Sequence, residues 1–358
     1  MTTRPIRQER SPRDVAGPVG MVGFQKIVGG AAAIHAAAGA GLFELLAGGG
    51  SSAGQAAEAL GLEERATRRL LDVLVALGLA GADPDGVYRS TVEERTLIDD
   101  QLRMWDSLSE VLRNGVPPYR LDRPEGAQLV YPSLVGLLGR IKAEAARLAA
   151  ARLARPHLQV LDVGAGAAPW SLALVAEEPS CRVTAVDLPA VLPATRTAVE
   201  AAGHASRFRY LAADLFQIEL PKEAFDLAIV GSVCHLFGPN DNRRLLFDLF
   251  QALRPDGTVA IIDTLRDGET RREQAIYALG LLLRAPEGDV YPPSTYREWL
   301  LDAGFGAVED VALTERPPLT LVTARRPPAG AGPDTHPSSS PECQVPAPVR
   351  APSETLKL

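Results

Sequence analysis

The chain has 358 residues, 46% hydrophobic and 23% charged, and 37 Lys and Arg against 44 Asp and Glu leave a net charge of −7. That length admits two domains with a core each, and the acidic balance argues against a nucleic-acid partner, which would want a concentrated basic face. Three cysteines, Cys181, Cys234 and Cys343, form no CxxC and no Cys/His ligand spacing, so no disulfide framework and no metal site is expected and a cytoplasmic setting fits.

Residues 1–17 are basic and Pro-containing, lack the apolar stretch of a signal peptide, and read as a disordered tail. The alanine-rich run "IVGGAAAIHAAAGAGLFELLAGG" is the nearest approach to a membrane span. His35, Glu44 and repeated glycines interrupt it, so a soluble helix pair and no membrane partner are expected. Residues 18–125 continue in a helical pattern. "GQAAEALGLEERATRRLLDVLVALGLA" holds two amphipathic helices joined at Gly61-Leu62, with Leu60, Leu70, Leu71, Val73, Leu74 and Leu77 as the apolar steps. "ADPDGVYRST" then supplies short strands and a turn, the wing of a winged helix-turn-helix. Arg65, Arg68 and Arg69 are offset by Glu63, Glu64, Asp83 and Asp85, which favours dimerisation over DNA reading; a ligand-sensing DNA regulator is the rival from that class.

A long helix, "LVGLLGRIKAEAARLAAARLAR", opens the second domain, residues 126–326. "LQVLDVG", "CRVTAVDL", "RFRYLAADL", "FDLAIVGSV" and "GTVAIIDTL" are its strands, and helices are expected at about 169–178, 190–203, 240–253 and 293–303. Such alternation predicts an α/β fold with a mainly parallel, Rossmann-like sheet. "AVEDVALTE" and "LTLVTARR", separated only by "RPP", add an antiparallel last pair, making seven strands. Residues 327–358, rich in Pro, Ser and Gly, read as a second disordered tail.

Strand tips carry the candidate chemistry. In "LDVGAGAAPW" Gly164 and Gly166 let the backbone turn sharply and approach a ligand. Asp187 follows 21 residues beyond Gly166, the offset at which a carboxylate binds ribose hydroxyls. With Asp162 and Asp214, three successive strand ends present a carboxylate. Acidic tips suit a ligand with hydroxyls, an amine or a cation, all of which S-adenosylmethionine has; a dehydrogenase dinucleotide would need a pyrophosphate site. "VGSVCHLFGPNDNRR" ends a fourth strand in Cys234 and His235, where open α/β sheets place their chemistry.

These motifs, with "LRPDGTVAIIDTL" and "REWLLDAGF" in the same order, resemble the class I S-adenosylmethionine-dependent O-methyltransferases. The likeness spans residues 18–326 and is to the dimeric branch with an N-terminal winged-helix domain, of caffeate, hydroxyindole and bacterial antibiotic-pathway type. The resemblance implies a homodimer in which Gly164 and Gly166 line the methionine and ribose part of the donor. It gives Asp187 the ribose hydroxyls and Asp214 with Leu215 the adenine, and Asp162, Leu188 and Ser232 complete that set. His235 inherits the catalytic base, with Asp263 orienting it. Three departures are visible: Leu236 and Phe237 replace an Asp and a Trp, Gly231 stands where plant members have a lysine, and Val290, beside Asp289, stands at the second acidic partner's place.

A phenol with pKa near 10 and an imidazole near 6.5 differ by about 3.5 units, roughly 4.8 kcal/mol, a gap that a nearby sulfonium and carboxylate narrow. The base therefore suits an aromatic hydroxyl, and a small hydroxylated aromatic acceptor in secondary metabolism is expected. Phe24, Met104, Trp105 and Tyr131 are candidates for the acceptor pocket, Phe24 from the partner subunit. Methylation of carbon or nitrogen, or non-methylating chemistry on the same fold, is the alternative.

Overall fold

The computed structural model describes residues 21–91, 95–266 and 272–328. The tail expected at 1–17, and that at 327–358 apart from its first two residues, lie outside the described residues. Among those described, no helix is long and apolar enough to cross a membrane. The chain divides into two compact units: one reaches Arg120 and takes in Leu279–Pro286, and the other holds Leu121–Ala278 and the chain from Glu287.

The first unit contains α1 (Met21–Gly39), α2 (Leu42–Ala47), β1 (Ser51–Ser52), α3 (Ala53–Leu60), α4 (Glu64–Ala76), β2 (Ala80–Ala82), β3 (Val87–Ser90), α5 (Arg95–Asp106) and α6 (Leu108–Asn114). Helix α3 starts on a capping box, in which Ser52 and Gln55 satisfy each other's backbone N–H, and it ends at Gly61 in the left-handed region, φ 66°. Two residues on, Glu63 caps α4 by accepting from the N–H groups of Arg65 and Ala66. The strands pair antiparallel in the order β1-β3-β2; the β2–β3 hairpin falls at the expected wing, and β1 adds a strand that was not expected. Leu71 and Leu74 are wholly buried with Leu42, Phe43 and Leu46, but Val73 and Leu77 are 38% and 45% exposed. The inward stripe of α4 is Thr67, Leu71 and Leu74, and Val73 falls outside it.

The second unit opens on α7 (Pro124–Leu153), which begins ten residues before the expected start and runs through Pro132. Proline removes a helical hydrogen bond, and so masked those first turns in the sequence. Then come β4 (Gln159–Val163), α8 (Pro169–Glu177), β5 (Arg182–Asp187), α9 (Leu192–Ala201), β6 (Phe208–Ala212), β7 (Phe225–Gly231), α10 (Pro239–Ala252) and β8 (Leu253–Asp263). The unit closes with α11 (Arg272–Leu281) as far as Ala278, then α12 (Pro293–Asp302), β9 (Gly306–Glu315) and β10 (Pro318–Arg325). The seven strands lie in the order β6-β5-β4-β7-β8-β10-β9. The first five run parallel, and β10 is antiparallel to both β8 and β9. Strand order reverses between β4 and β7, so the crevice at their carboxyl ends is where such sheets bind ligands.

Helices α7, α8 and α9 pack together, as do α10 and α12. One core joins Ala145, Ala146, Ala149, Trp170 and Leu174 of the helices to Val160, Val183, Ile229 and Ile262 of the sheet. Just past β10, Arg326 Nη1 donates to the carbonyls of Phe250 and Leu253, its Nη2 meets Glu223 at 2.7 Å, and its guanidinium lies over the Phe250 ring.

Candidate active site

The turn after β4 is built on backbone that favours glycine, with Gly164 at φ 64° and Gly166 at φ 55°. A Cβ at Gly164 would stand 2.7 Å from Val233 Cγ2, so this turn also depends on close approach. Helix α7 lies against it: a Cβ at Gly166 would meet Val135 at 3.4 Å, and one at Gly139 would meet Ala167 at 3.1 Å. Asp187, the last residue of β5, shapes the turn from the other side. Its Oδ2 accepts from the Gly166 N–H and its Oδ1 from that of Leu188, each at 2.7 Å. Burial pushes its carboxyl up, and those two amides pull it back.

Asp214, beyond β6, accepts from the Phe216 N–H and the Gln217 side chain, both at 3.0 Å. Leu215 is partly buried beside it. Asp162 differs from the expected strand tip. It sits one residue inside β4, 1% exposed, with Oδ2 taking the Ser171 hydroxyl and Oδ1 buried without a partner. Burial pushes its carboxyl up to about 7. Ser232 holds a left-handed conformation, φ 61°, uncommon for a residue with a side chain, and its N–H donates to Ile262 O at 2.7 Å.

His235 lies in a short 3-10 turn after β7 and is 6% exposed. Its Nδ1 is 2.7 Å from Asp263 Oδ1, at the end of β8. The same carboxylate accepts the backbone N–H of His235 at 3.2 Å and of Thr264 at 2.9 Å, and the Tyr296 hydroxyl at 3.5 Å. A carboxylate accepts only, so in a neutral imidazole Nδ1 carries the proton and Nε2 the lone pair. That lone pair faces Tyr277 of α11, whose hydroxyl is 3.1 Å away. Cys234, wholly buried, has its thiol pushed well up by burial and is no nucleophile.

The departures have structural explanations. Leu236 and Phe237 are buried, and Phe237 packs edge-on to Phe216 at 4.8 Å, so this pair is core. Val290 is buried, and Asp289 reaches His235 only through its backbone, N–H to carbonyl, at 3.1 Å. A Cβ at Gly231 would stand 2.0 Å from Trp170 Nε1. The indole takes the space in which any side chain, a lysine included, would have to begin.

The expected acceptor-pocket residues fare differently. Phe24 is 58% exposed on α1. Met104 is buried with Val111 and Leu283, and Trp105 packs on that cluster, so both are core of the first unit. Tyr131 packs with Val135, Ala167, Leu188 and Val191, beside the glycine turn.

Two residues of this region escaped the sequence reading. Tyr277 sits in "EQAIYALG", which shows no motif. Lys142 had a signal: it is the charge in the stripe Val135, Gly139, Lys142, Ala146, Ala149, spaced as one helix face. Burial lowers its ammonium to about 8, against an upward pull from the Asp263 charge. Unfolded Lys holds its proton to higher pH, so folding costs most below about 8 and the cost fades as pH rises further. Lys142→Met is therefore expected to raise Tm at pH 7 by roughly 3 °C, the shift about 1 kcal/mol produces in a unit of this size. Calorimetric scans at pH 7 and pH 10 check it, since the gain should shrink at the higher pH.

A glycine turn, a carboxylate at the next strand's tip and an Asp-held imidazole meet on a reversed-order parallel sheet, the frame that the family resemblance implies for a methyltransferase. Among the described residues no cluster of His, Cys, Asp and Glu could hold a metal ion. Comparison with known proteins makes the class specific. Residues 140–306 match the O-methyltransferase domain and residues 30–98 the O-methyltransferase dimerisation domain. The tetracenomycin polyketide synthesis 8-O-methyltransferase of Streptomyces glaucescens is 30% identical over 340 residues, covering 87% of this chain and 98% of that one. The 3-hydroxy-5-methyl-1-naphthoate 3-O-methyltransferase of Streptomyces sahachiroi is 29% identical over 294 residues, 76% of this chain and 84% of that one. Human N-acetylserotonin methyltransferase, solved with S-adenosylmethionine, shares the fold at TM-score 0.68 and 21% identity, over 85% of this chain and 96% of that one. The chain belongs to the S-adenosylmethionine-dependent O-methyltransferase family and is an O-methyltransferase.

Proposed function

We propose that the enzyme methylates a phenolic hydroxyl of a small aromatic secondary metabolite, with His235 as general base and Asp263 as its orienting partner. The observation that carries this reading is the 2.7 Å contact from His235 Nδ1 to a buried carboxylate. It fixes the tautomer and leaves Nε2 as the proton acceptor. The Streptomyces relatives, named for a polyketide and a naphthoate, support an aromatic acceptor.

S-adenosylmethionine supplies an electrophilic methyl group on a sulfonium. The residues fit such a donor, because an acid-lined crevice suits its hydroxyls and positive charges and the unpartnered Asp162 Oδ1 calls for a hydrogen-bond donor. Asp187 and Leu188 hold the ribose end, Asp214 and Leu215 the adenine, and Gly164, Gly166 and Ser232 the backbone cradle, while ionised Asp162 pairs with the α-ammonium. His235 takes the acceptor's proton at Nε2.

Residues 126–326 form this catalytic domain. Residues 18–125 form the dimerisation domain of a cytoplasmic homodimer, a reading supported by the exposed Phe24, Ile27 and Val28 on α1.

Isothermal titration with S-adenosylhomocysteine tests the donor site, and methyl transfer to a panel of phenols and aliphatic alcohols tests the acceptor. Binding that needs ionised Asp162 strengthens as pH rises through about 7. From pH 6 to pH 8 the expected gain is roughly tenfold, the ratio of ionised fractions for a group titrating there, and Asp162→Asn should flatten it. No binding heat, or alcohols methylated as readily as phenols, would sink the proposal.

A further inference from the structure

The free nitrogen of the proposed base already has a phenol on it. His235 Nε2 lies 3.1 Å from the Tyr277 hydroxyl, and the two rings meet edge to face, centroids 5.5 Å apart. Nδ1 is committed to Asp263, so a neutral imidazole has one lone pair left, and one lone pair serves one donor at a time. Any acceptor hydroxyl that is to surrender its proton there must first replace the one that Tyr277 brings.

Tyr277 arrives by construction. One helical turn earlier on the same face of α11, Gln274 is buried and its Nε2 donates to the Leu265 carbonyl at 2.6 Å. Leu265 lies two residues beyond Asp263, so the helix that carries the tyrosine is fastened to the strand that carries the orienting carboxylate. Tyr277 itself is only partly buried.

We propose that Tyr277 is a placeholder for the acceptor, hydrogen-bonded to His235 until an aromatic hydroxyl displaces it. The inference rests on the reading of His235 as the base. It narrows the acceptor class, because an incoming hydroxyl has to compete with tyrosine, a phenol with pKa near 10. Hydroxyls on rings acidified by carbonyl groups are stronger donors and win that exchange; plain phenols compete evenly, and aliphatic alcohols lose.

The test is Tyr277→Phe in the full-length enzyme, which keeps the ring and deletes the hydroxyl. The acceptor KM is expected to fall about fivefold, the change that removing one competing hydrogen bond of about 1 kcal/mol gives, with kcat within twofold of wild type. The fall should be the same for a carbonyl-substituted phenol and a plain one, because an internal competitor raises the KM of every acceptor by one factor. An unchanged or raised KM, or a fall in kcat, overturns the proposal, since Tyr277 would then be a spectator, hold the acceptor or relay the proton. Unchanged Tm and S-adenosylhomocysteine affinity certify the variant's fold; if it misfolds, Tyr277→Leu is read in the same way. His235→Asn assayed alongside separates the two ideas, because an active His235→Asn removes the base and leaves the KM result to decide the placeholder.

Discussion

His235→Asn is expected to lower kcat/KM for a phenol by about 10²–10⁴, the range general base catalysis supplies, while S-adenosylhomocysteine binds as in wild type. Asparagine is the better probe than alanine. Its amide can still donate to Asp263, whereas His235→Ala would strip a buried carboxylate of one of its donors and confound chemistry with stability. Steady-state kinetics beside calorimetry of donor binding read the two effects separately. A variant within threefold of wild type would show that transfer runs on proximity alone and that the imidazole is structural. Asp263 is bound into the same unit: it also takes the backbone N–H groups of His235 and Thr264, so its removal should harm folding as well as rate.

The second large effect belongs to a residue with no side chain. Gly231→Ala places a methyl group 2.0 Å from Trp170 Nε1 and 2.4 Å from its Cδ1. Neither partner has space to yield, since Trp170 is 4% exposed within the core and Gly231 is paired to Ile262 in the middle of the sheet. Overpacking of this kind costs about 1–3 kcal/mol and occasionally more, and a backbone-anchored clash belongs at the upper end. Urea unfolding followed by tryptophan fluorescence and circular dichroism measures it. The double variant Gly231→Ala, Trp170→Leu should recover part of the loss, because the smaller side chain makes room; strictly additive losses would reject the clash as the cause.

What could be read from the sequence, and what could not, follows from the range of each interaction. Strands β4, β5, β7 and β8 were legible because strands covered on both faces are nearly continuous apolar runs. The glycine turn and Asp187 were legible because a turn and a strand tip are local. The His235–Asp263 pairing spans 28 residues and came only through family resemblance. Tyr277 acts on a histidine 42 residues away, through a helix whose Ile276 and Leu279 are exposed, so neither motif nor periodicity marked it. Met104 and Trp105 were offered as pocket residues on their chemistry, yet they pack into a core, the commoner fate of large apolar side chains on a helix. Asp162 looked like a third strand tip, yet it lies one residue short of the end of β4, with Oδ1 buried and unpartnered.

The arginine that follows β10 has a practical corollary. Arg326 ties the end of the sheet to the carbonyls that finish α10 and to Glu223, so the last strand is moored by polar contacts at its own exit. A purification handle or fusion partner appended downstream leaves that mooring intact, whereas a cut made upstream of it orphans two carbonyls and a carboxylate in one stroke.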